Sequence, residues 1–258
     1  MTPRSALRAA GRATLDTLLT LVLSPNCAAC ERPLERPSAG PVCDSCWSSI
    51  RMLRPPFCRA CGDPLPSWRT LGAEPEPCAR CRRHPPALDG GRAAGEYEGA
   101  LRAIIHAFKY EGRRTLAVRL GRMMCEAGAD VLAGARCVVP VPLHPWRRVR
   151  RGFNQAADLA STAGLPVVRA LWRTRSSLSQ TGLTAAARRR NVRAAFRLSP
   201  LLSRRALRLH VVGAIVVLVD DVRTTGATLD ACARVLKQAG ACEVRALTVA
   251  RATVHERR

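Results

Sequence analysis

Eight cysteines fall in four C-x2-C pairs between residues 27 and 81: Cys27/Cys30, Cys43/Cys46, Cys58/Cys61 and Cys78/Cys81. Two intervening residues let a tight turn present both sulfurs to one tetrahedral cation. Four thiolates at a metal–sulfur distance of about 2.3 Å close a structural zinc site with no position open for chemistry. Eight thiolates suffice for two such sites. Sequential pairing, Cys27/Cys30 with Cys43/Cys46 and Cys58/Cys61 with Cys78/Cys81, closes the shorter loops, and interleaved pairing is the alternative.

A second constellation lies in VVLVDDVRTTGATL, residues 216 to 229. The near-continuous apolar run reads as a strand covered on both faces, so Asp220 and Asp221 emerge at its carboxyl end, where open α/β sheets bind ligands. Thr224 to Thr228 then form a short loop before a helix that begins around Ala227. Backbone N–H groups of such a loop, backed by the positive end of a helix, cradle phosphate, and threonine hydroxyls add donors. Carboxylates cannot hold phosphate, but they accept hydrogen bonds from vicinal sugar hydroxyls. A capped helix after a buried strand explains one Asp or one Thr, not the whole run.

The cysteines have a competing reading as a disulfide framework, which requires export. Residues 5 to 23 carry basic residues and a short apolar run, but Asp16 interrupts it, and Ser-Pro-Asn before Cys27 is a poor processing site. The run is too short to span a bilayer. Leu7, Leu15, Leu18, Leu19 and Val22 can share one helical face, so an amphipathic docking helix over residues 1–25 and a cytoplasmic protein, associated with a membrane only through partners, are expected. Cys125, Cys137, Cys232 and Cys242 sit in apolar segments and read as small core residues. His84 follows Cys81 closely but is superfluous as a ligand.

The chain carries 42 Lys and Arg against 19 Asp and Glu, a net charge of +23. Only Lys109 and Lys237 are lysines; the excess is arginine and is concentrated after residue 90, where 30 basic residues face 11 acids. A field of that sign gathers phosphorylated ligands or nucleic acid, although a solvated arginine coat has the same composition. Aromatics are only 4%, too few for an extended base-stacking platform.

The elements that must position these groups follow from periodicity. Pro-Pro and Gly-Gly bracket a boundary near residues 82 to 92. Helices are expected over 99–110, 114–133, 153–163 and 227–239, and strands over 137–141, 166–170, 214–220 and 242–250. That alternation predicts an α/β domain with a mostly parallel sheet and helices on both faces.

In these features the chain resembles the ComF (competence protein F) family. The matching pieces are the four C-x2-C pairs, YEGALRAIIHAFKYEGR at 97–113, VPVPLH at 139–144, RGFNQA at 151–156, QTGLTAAARRRNVRAAF at 180–196 and the aspartate signature, in family order. The resemblance implies a double zinc ribbon over 26–90 and a type I phosphoribosyltransferase-like domain over 91–258. It also implies a site for 5-phosphoribosyl 1-diphosphate (PRPP) with Mg²⁺, and a role in bringing single-stranded DNA into the cytosol during natural transformation, alongside DNA-uptake helicase or channel proteins. Carried over residue by residue, Asp220, Asp221, Arg151 and Lys109 take catalytic places. Val222, Arg223, Thr224, Thr225, Gly226, Ala227 and Thr228 form the phosphate loop, and Val141, Pro142 and Leu143 the diphosphate loop. Arg147, Arg148, Arg150, Arg188, Arg189, Arg190 and Arg193 are candidates for diphosphate or a nucleic-acid backbone. Ala195 and Arg223 depart from the family pattern, as does Ser-Pro-Asn before Cys27. The alternatives are an active transferase, releasing pyrophosphate onto a nitrogen acceptor unrelated to DNA, and a PRPP-sensing regulator. The insert at 198–213 has no assigned role.

Overall fold

The computed structural model describes residues 14, 16–21, 24–66, 77–143, 149, 151–174 and 195–252. In chain order the described helices are α1 (Asp44–Ser48), α2 (Ala79–Arg83), α3 (Gly99–Tyr110), α4 (Leu116–Ala127), α5 (Ala129–Leu132), α6 (Gln155–Ala160), α7 (Arg204–His210) and α8 (Ala227–Gln238). The strands are β1 (Gly90–Glu96), β2 (Cys137–Pro140), β3 (Leu171–Arg173), β4 (Phe196–Leu198), β5 (Ile215–Arg223) and β6 (Glu243–Arg251). The chain divides into two compact units, residues 1–51 with 97–116 and residues 52–96 with 117–258.

The first unit combines the first cysteine knuckle with α3, whose Leu101, Ile104, Ile105 and Phe108 repeat at helical spacing and are all fully buried. Residues 16–21 are helical, with Leu18 and Leu21 exposed. Leu7, Leu15 and Val22 lie outside the described residues. Asp16, which interrupts the apolar run in the sequence, is buried and accepts a hydrogen bond from Ser38 N at 2.7 Å.

The second unit is built on a four-stranded parallel sheet in the order β1-β6-β5-β2. Val216 and Leu218 of β5 share one face with Cys137 and Val139 of β2 and Val244 and Ala246 of β6. Alternation along a strand sends their neighbours Val217, Val219, Val138 and Leu247, all fully buried, to the other face. Helix α8 covers the first face through Leu229, Cys232, Ala233 and Leu236. Helix α6 packs on β2 and β5. The expected parallel sheet with helical cover is therefore present.

Three elements differ from expectation. The helix expected over 114–133 is interrupted at Gly128, the N-cap of α5, so that α4 and α5 are separate. Residues 166–170 contribute only a single bridge, Val138 with Val167, and the following strand is β3, paired antiparallel with β4 in a separate ribbon. Strand β1 was not anticipated at all, and it forms the edge of the main sheet beside β6.

The second cysteine knuckle belongs to the same unit as this sheet. Leu53 N donates to Ala94 O at 2.9 Å and Met52 bridges Gly95, so the chain entering the knuckle runs along β1. Gly62, at φ +68°, and Gly91 bring two backbones together so closely that a Cβ on Gly62 would lie 2.0 Å from Gly91 O. Arg92 stacks its guanidinium over Phe57 at 4.7 Å from the ring centroid, adding a third tie.

Candidate functional site

The described cysteines settle the pairing in favour of the sequential arrangement. Cys27, Cys30, Cys43 and Cys46 form one tetrad and Cys58, Cys61, Cys78 and Cys81 the other, with the ligand atoms of each set within 4.8 Å of one another. Four sulfurs bound tetrahedrally at a Zn–S distance near 2.3 Å must lie about 3.8 Å apart. Cys30 and Cys43 stand at 3.8 Å, Cys27 and Cys46 at 3.9 Å, and Cys61 and Cys78 at 3.8 Å. Backbone amides already aim at the sulfurs: Cys43 N at Cys27 Sγ (3.3 Å) and Cys78 N at Cys58 Sγ (3.2 Å). These donors stabilise thiolate, the form that binds metal. With protons instead of a cation the second tetrad divides unevenly. The hydrogen bond from Cys61 lowers Cys58, while Cys61 is pushed up to about 12 by that same bond and by burial. Cys58, Cys61, Cys78 and Cys81 would hold a zinc ion as four thiolates, which would remove this uneven sharing of protons. Of the remaining cysteines, Cys137 and Cys232 are buried core residues and Cys125 is half-buried, but Cys242 is exposed, correcting the core assignment for that residue. Its position beside the turn between α8 and β6 is the reason.

The second site is the turn from β5 into α8. Asp220 and Asp221 are consecutive strand residues, so their carboxylates leave opposite faces of β5; Asp220 is half-buried and Asp221 buried. Asp220 Oδ1 accepts from Asp221 N at 2.9 Å, which ties the two together. Thr224 and Thr225 are exposed. Gly226 then takes φ +79° and serves as N-cap of α8, a conformation a side chain would strain, and Thr225 Oγ1 accepts from Ala227 N at 3.4 Å. The first-turn N–H groups of a twelve-residue helix thus open onto the loop that follows two carboxylates.

At the end of β2, Val141 donates its N–H to Val219 O at 2.9 Å, and Asn154 Nδ2 donates to Val141 O at 3.2 Å. Pro142 has no N–H, so Leu143 is the first backbone donor this loop can offer an anion. Asn154 also caps α6, accepting from Ala156 N at 3.2 Å, and so joins the loop to the helix. Arg151 donates to the buried Gln155 Oε1 at 3.3 Å. Lys109 lies in the last turn of α3, in the first unit. Arg147, Arg148, Arg150, Arg188, Arg189, Arg190 and Arg193 lie outside the described residues.

Arg223 faces away from the open side of the loop. It is buried, donates through Nη1 to Cys61 O and through Nη2 to Asp63 Oδ1 at 3.0 Å. Arg80 and Arg251 converge on the same carboxylate. Burial alone would raise Asp63, but Arg223, Arg251 and Arg80 outweigh it and hold the carboxyl below the usual range. Sequence reading passed over Asp63, Arg80, Arg251 and Asn154. Only the position of Asn154 inside RGFNQA carried any signal.

A model of the double zinc ribbon domain matches residues 18–83, and one of the phosphoribosyl transferase domain matches residues 150–258. The DNA utilization protein YhgH of Salmonella typhi is 32% identical over 233 residues, covering 85% of this chain and 93% of that protein. The chain belongs to the ComF family. Competence protein F of Haemophilus influenzae is 29% identical to this ComF-family chain over 221 residues, covering 82% of it and 90% of that protein. Among solved structures, glutamine PRPP amidotransferase from B. subtilis is similar at 23% identity and a TM-score of 0.36, covering 55% of this chain and 30% of that one. With the parallel sheet and the domain match, the fold is of the type I phosphoribosyltransferase kind, joined to a double zinc ribbon. No helix among the described residues is long and apolar enough to cross a membrane.

Proposed function

We propose that the turn from β5 into α8 binds PRPP: the peptide N–H groups of Thr225 to Thr228 take the 5′-phosphate, and Asp220 and Asp221 take the ribose hydroxyls. The observation that carries this reading is two carboxylates at the carboxyl end of a central parallel strand, followed at once by a glycine-pivoted helix N-terminus. Mg²⁺, when bound with the diphosphate, offsets charge that the loop after Pro142 cannot neutralise with Leu143 N alone; the arginines at 147–151 supply cations for the remainder. Asp221→Ala is expected to weaken PRPP–Mg²⁺ binding at least tenfold in calorimetry while the unfolding midpoint stays close to that of the parent protein. Equal affinity in the two proteins overturns the assignment of the ribose site.

A second activity, binding of single-stranded DNA, rests on a net charge of +19 after residue 90. The similarity to a DNA utilization protein and to a competence protein supports a DNA-related role, and we place it in the handling of incoming DNA. Phosphate neutralisation by arginines releases counterions, so log affinity is expected to fall steeply with log salt, with a slope near −0.7 per phosphate contacted. Affinity that barely changes between 50 and 200 mM salt, roughly the range over which such contacts are lost, would argue against a backbone-binding surface. Whether the PRPP site performs transfer or senses its ligand is decided by pyrophosphate release on addition of nucleobases or DNA.

A further inference from the structure

Asp63 sits two residues beyond Cys61 in the second knuckle, with its side chain only 14% exposed. Four donors from three arginines reach it: Arg80 Nη2 (3.0 Å) and Arg251 Nη2 (2.9 Å) on Oδ2, and Arg223 Nη2 (3.0 Å) and Arg251 Nε on Oδ1. Three guanidiniums around one carboxylate are balanced by the net charge of −2 that a zinc ion held by four thiolates would carry beside them. Two of these cations also grip the phosphate loop from below. Arg251 Nη1 donates to Thr224 O at 2.9 Å, and Arg80 Nη1 reaches Thr225 O at 3.5 Å. The third, Arg223, brings its Nε within 3.3 Å of where a Cβ on Gly226 would stand, and that nitrogen has no partner among the described residues.

A trans peptide is planar, with C=O and N–H pointing in opposite directions. Holding Thr224 O toward Arg251 therefore turns Thr225 N–H the other way, and holding Thr225 O toward Arg80 does the same for Gly226 N–H. These are the donors a phosphate in this loop must use. We propose that Asp63 is a positioning residue for the phosphate loop. Through Arg251 and Arg80 it fixes the two peptide planes that aim Thr225 N–H and Gly226 N–H. The second zinc ribbon is thereby part of the phosphate site. The inference rests on the PRPP reading for its ligand, but the orientation of the two peptides is testable without it.

The experiment compares the parent protein with Asp63→Asn and Arg80→Gln, each checked for two zinc ions per chain. Ligands are PRPP, ribose 5-phosphate and inorganic diphosphate, each with Mg²⁺, followed by calorimetry. The amide resonances of Thr225 and Gly226 are recorded without ligand. Asp63→Asn is expected to weaken PRPP and ribose 5-phosphate by the same factor, about tenfold or one charge-assisted contact, and to leave diphosphate unchanged. Both amide resonances should shift. Arg80→Gln should weaken the same two ligands less, because Arg80 is 40% exposed, and should shift Gly226 more than Thr225. Unmoved amide resonances in zinc-replete Asp63→Asn overturn the proposal. If Asp63→Asn does not fold, unmoved resonances and unchanged affinities in Arg80→Gln overturn it instead. A parent protein that binds neither PRPP nor ribose 5-phosphate defeats the PRPP reading, and the amide shifts alone then decide whether Asp63 sets the loop.

Discussion

Cys61→Ser is expected to release one zinc equivalent and to lower the unfolding midpoint of the second unit by far more than the equivalent Cys30→Ser change in the first knuckle. Among the described residues the buried cluster of the second knuckle consists of Cys58, Cys61 and Cys81, joined by Ala60, Leu65 and Cys78, so the ligands themselves make up most of that core. A core of that size cannot hold ordered chain against its conformational entropy, and the metal supplies the difference. Apparent binding free energies of structural zinc are about 10–16 kcal/mol near neutral pH, and in small ribbons this is folding free energy. The loss spreads because Cys61 O accepts from Arg223 and Asp63 pairs with three arginines, one from each of α2, β5 and β6. A disordered knuckle strands Arg223, which is 4% exposed, without its acceptors. Removing one partner of a buried pair costs about 3–5 kcal/mol. Zinc content by atomic absorption and unfolding by calorimetry read the two effects separately. A Cys61→Ser protein with one zinc and an unchanged midpoint would contradict this coupling.

Gly62→Ala should be nearly as damaging for a different reason. The added Cβ would meet Gly91 O at 2.0 Å, Gly91 C at 2.4 Å and Arg92 N at 3.0 Å, all backbone atoms of β1. That strand is held in register with β6, from Gly90 opposite Arg245 to Glu96 opposite Arg251, so it cannot move aside without breaking ladder bonds. The backbone at φ +68° adds left-handed strain. Gly164 has the same φ of +68° but open space around its Cβ position, so Gly164→Ala isolates the conformational part. In urea titrations Gly164→Ala should lose about 1–2 kcal/mol, and Gly62→Ala a further 3 kcal/mol or so from overpacking. Equal losses would mean that the knuckle and β1 are not in the contact described.

What could be read from the sequence, and what could not, divides along physical lines. The zinc ligands were readable because two-residue spacing is a local constraint; the pairing needed three dimensions only to exclude interleaving. Strand β5 declared itself because burial on both faces requires an unbroken apolar run, and its aspartates were placed by the break in that run. Strand β1 was invisible because GGRAAGE has neither β-branched nor aromatic residues and begins with a glycine pair that reads as linker. The second of them, Gly91, allows the close approach to the knuckle, where a Cβ would lie 3.0 Å from Cys61 O. Asp63, in the turn CGDPLP, looks like an ordinary turn acid; its partners Arg223 and Arg251 lie 160 and 188 residues away. Arg223 reads from the sequence as a phosphate-loop residue that departs from the family pattern, whereas its guanidinium is spent on Cys61 O and Asp63. Its role, tying that loop's base to the second ribbon, depends on a carboxylate that no local pattern reveals.

Binding of PRPP at the turn from β5 into α8 can be read directly by amide hydrogen exchange of the zinc-loaded protein with and without PRPP and Mg²⁺. Slowed exchange is expected at Thr225 to Leu229 and around Leu143, with the far end of α8 unaffected. Protection absent from the turn between β5 and α8, or confined to other segments while calorimetry reports binding, would show that the aspartates and the glycine-pivoted helix end are not the PRPP site.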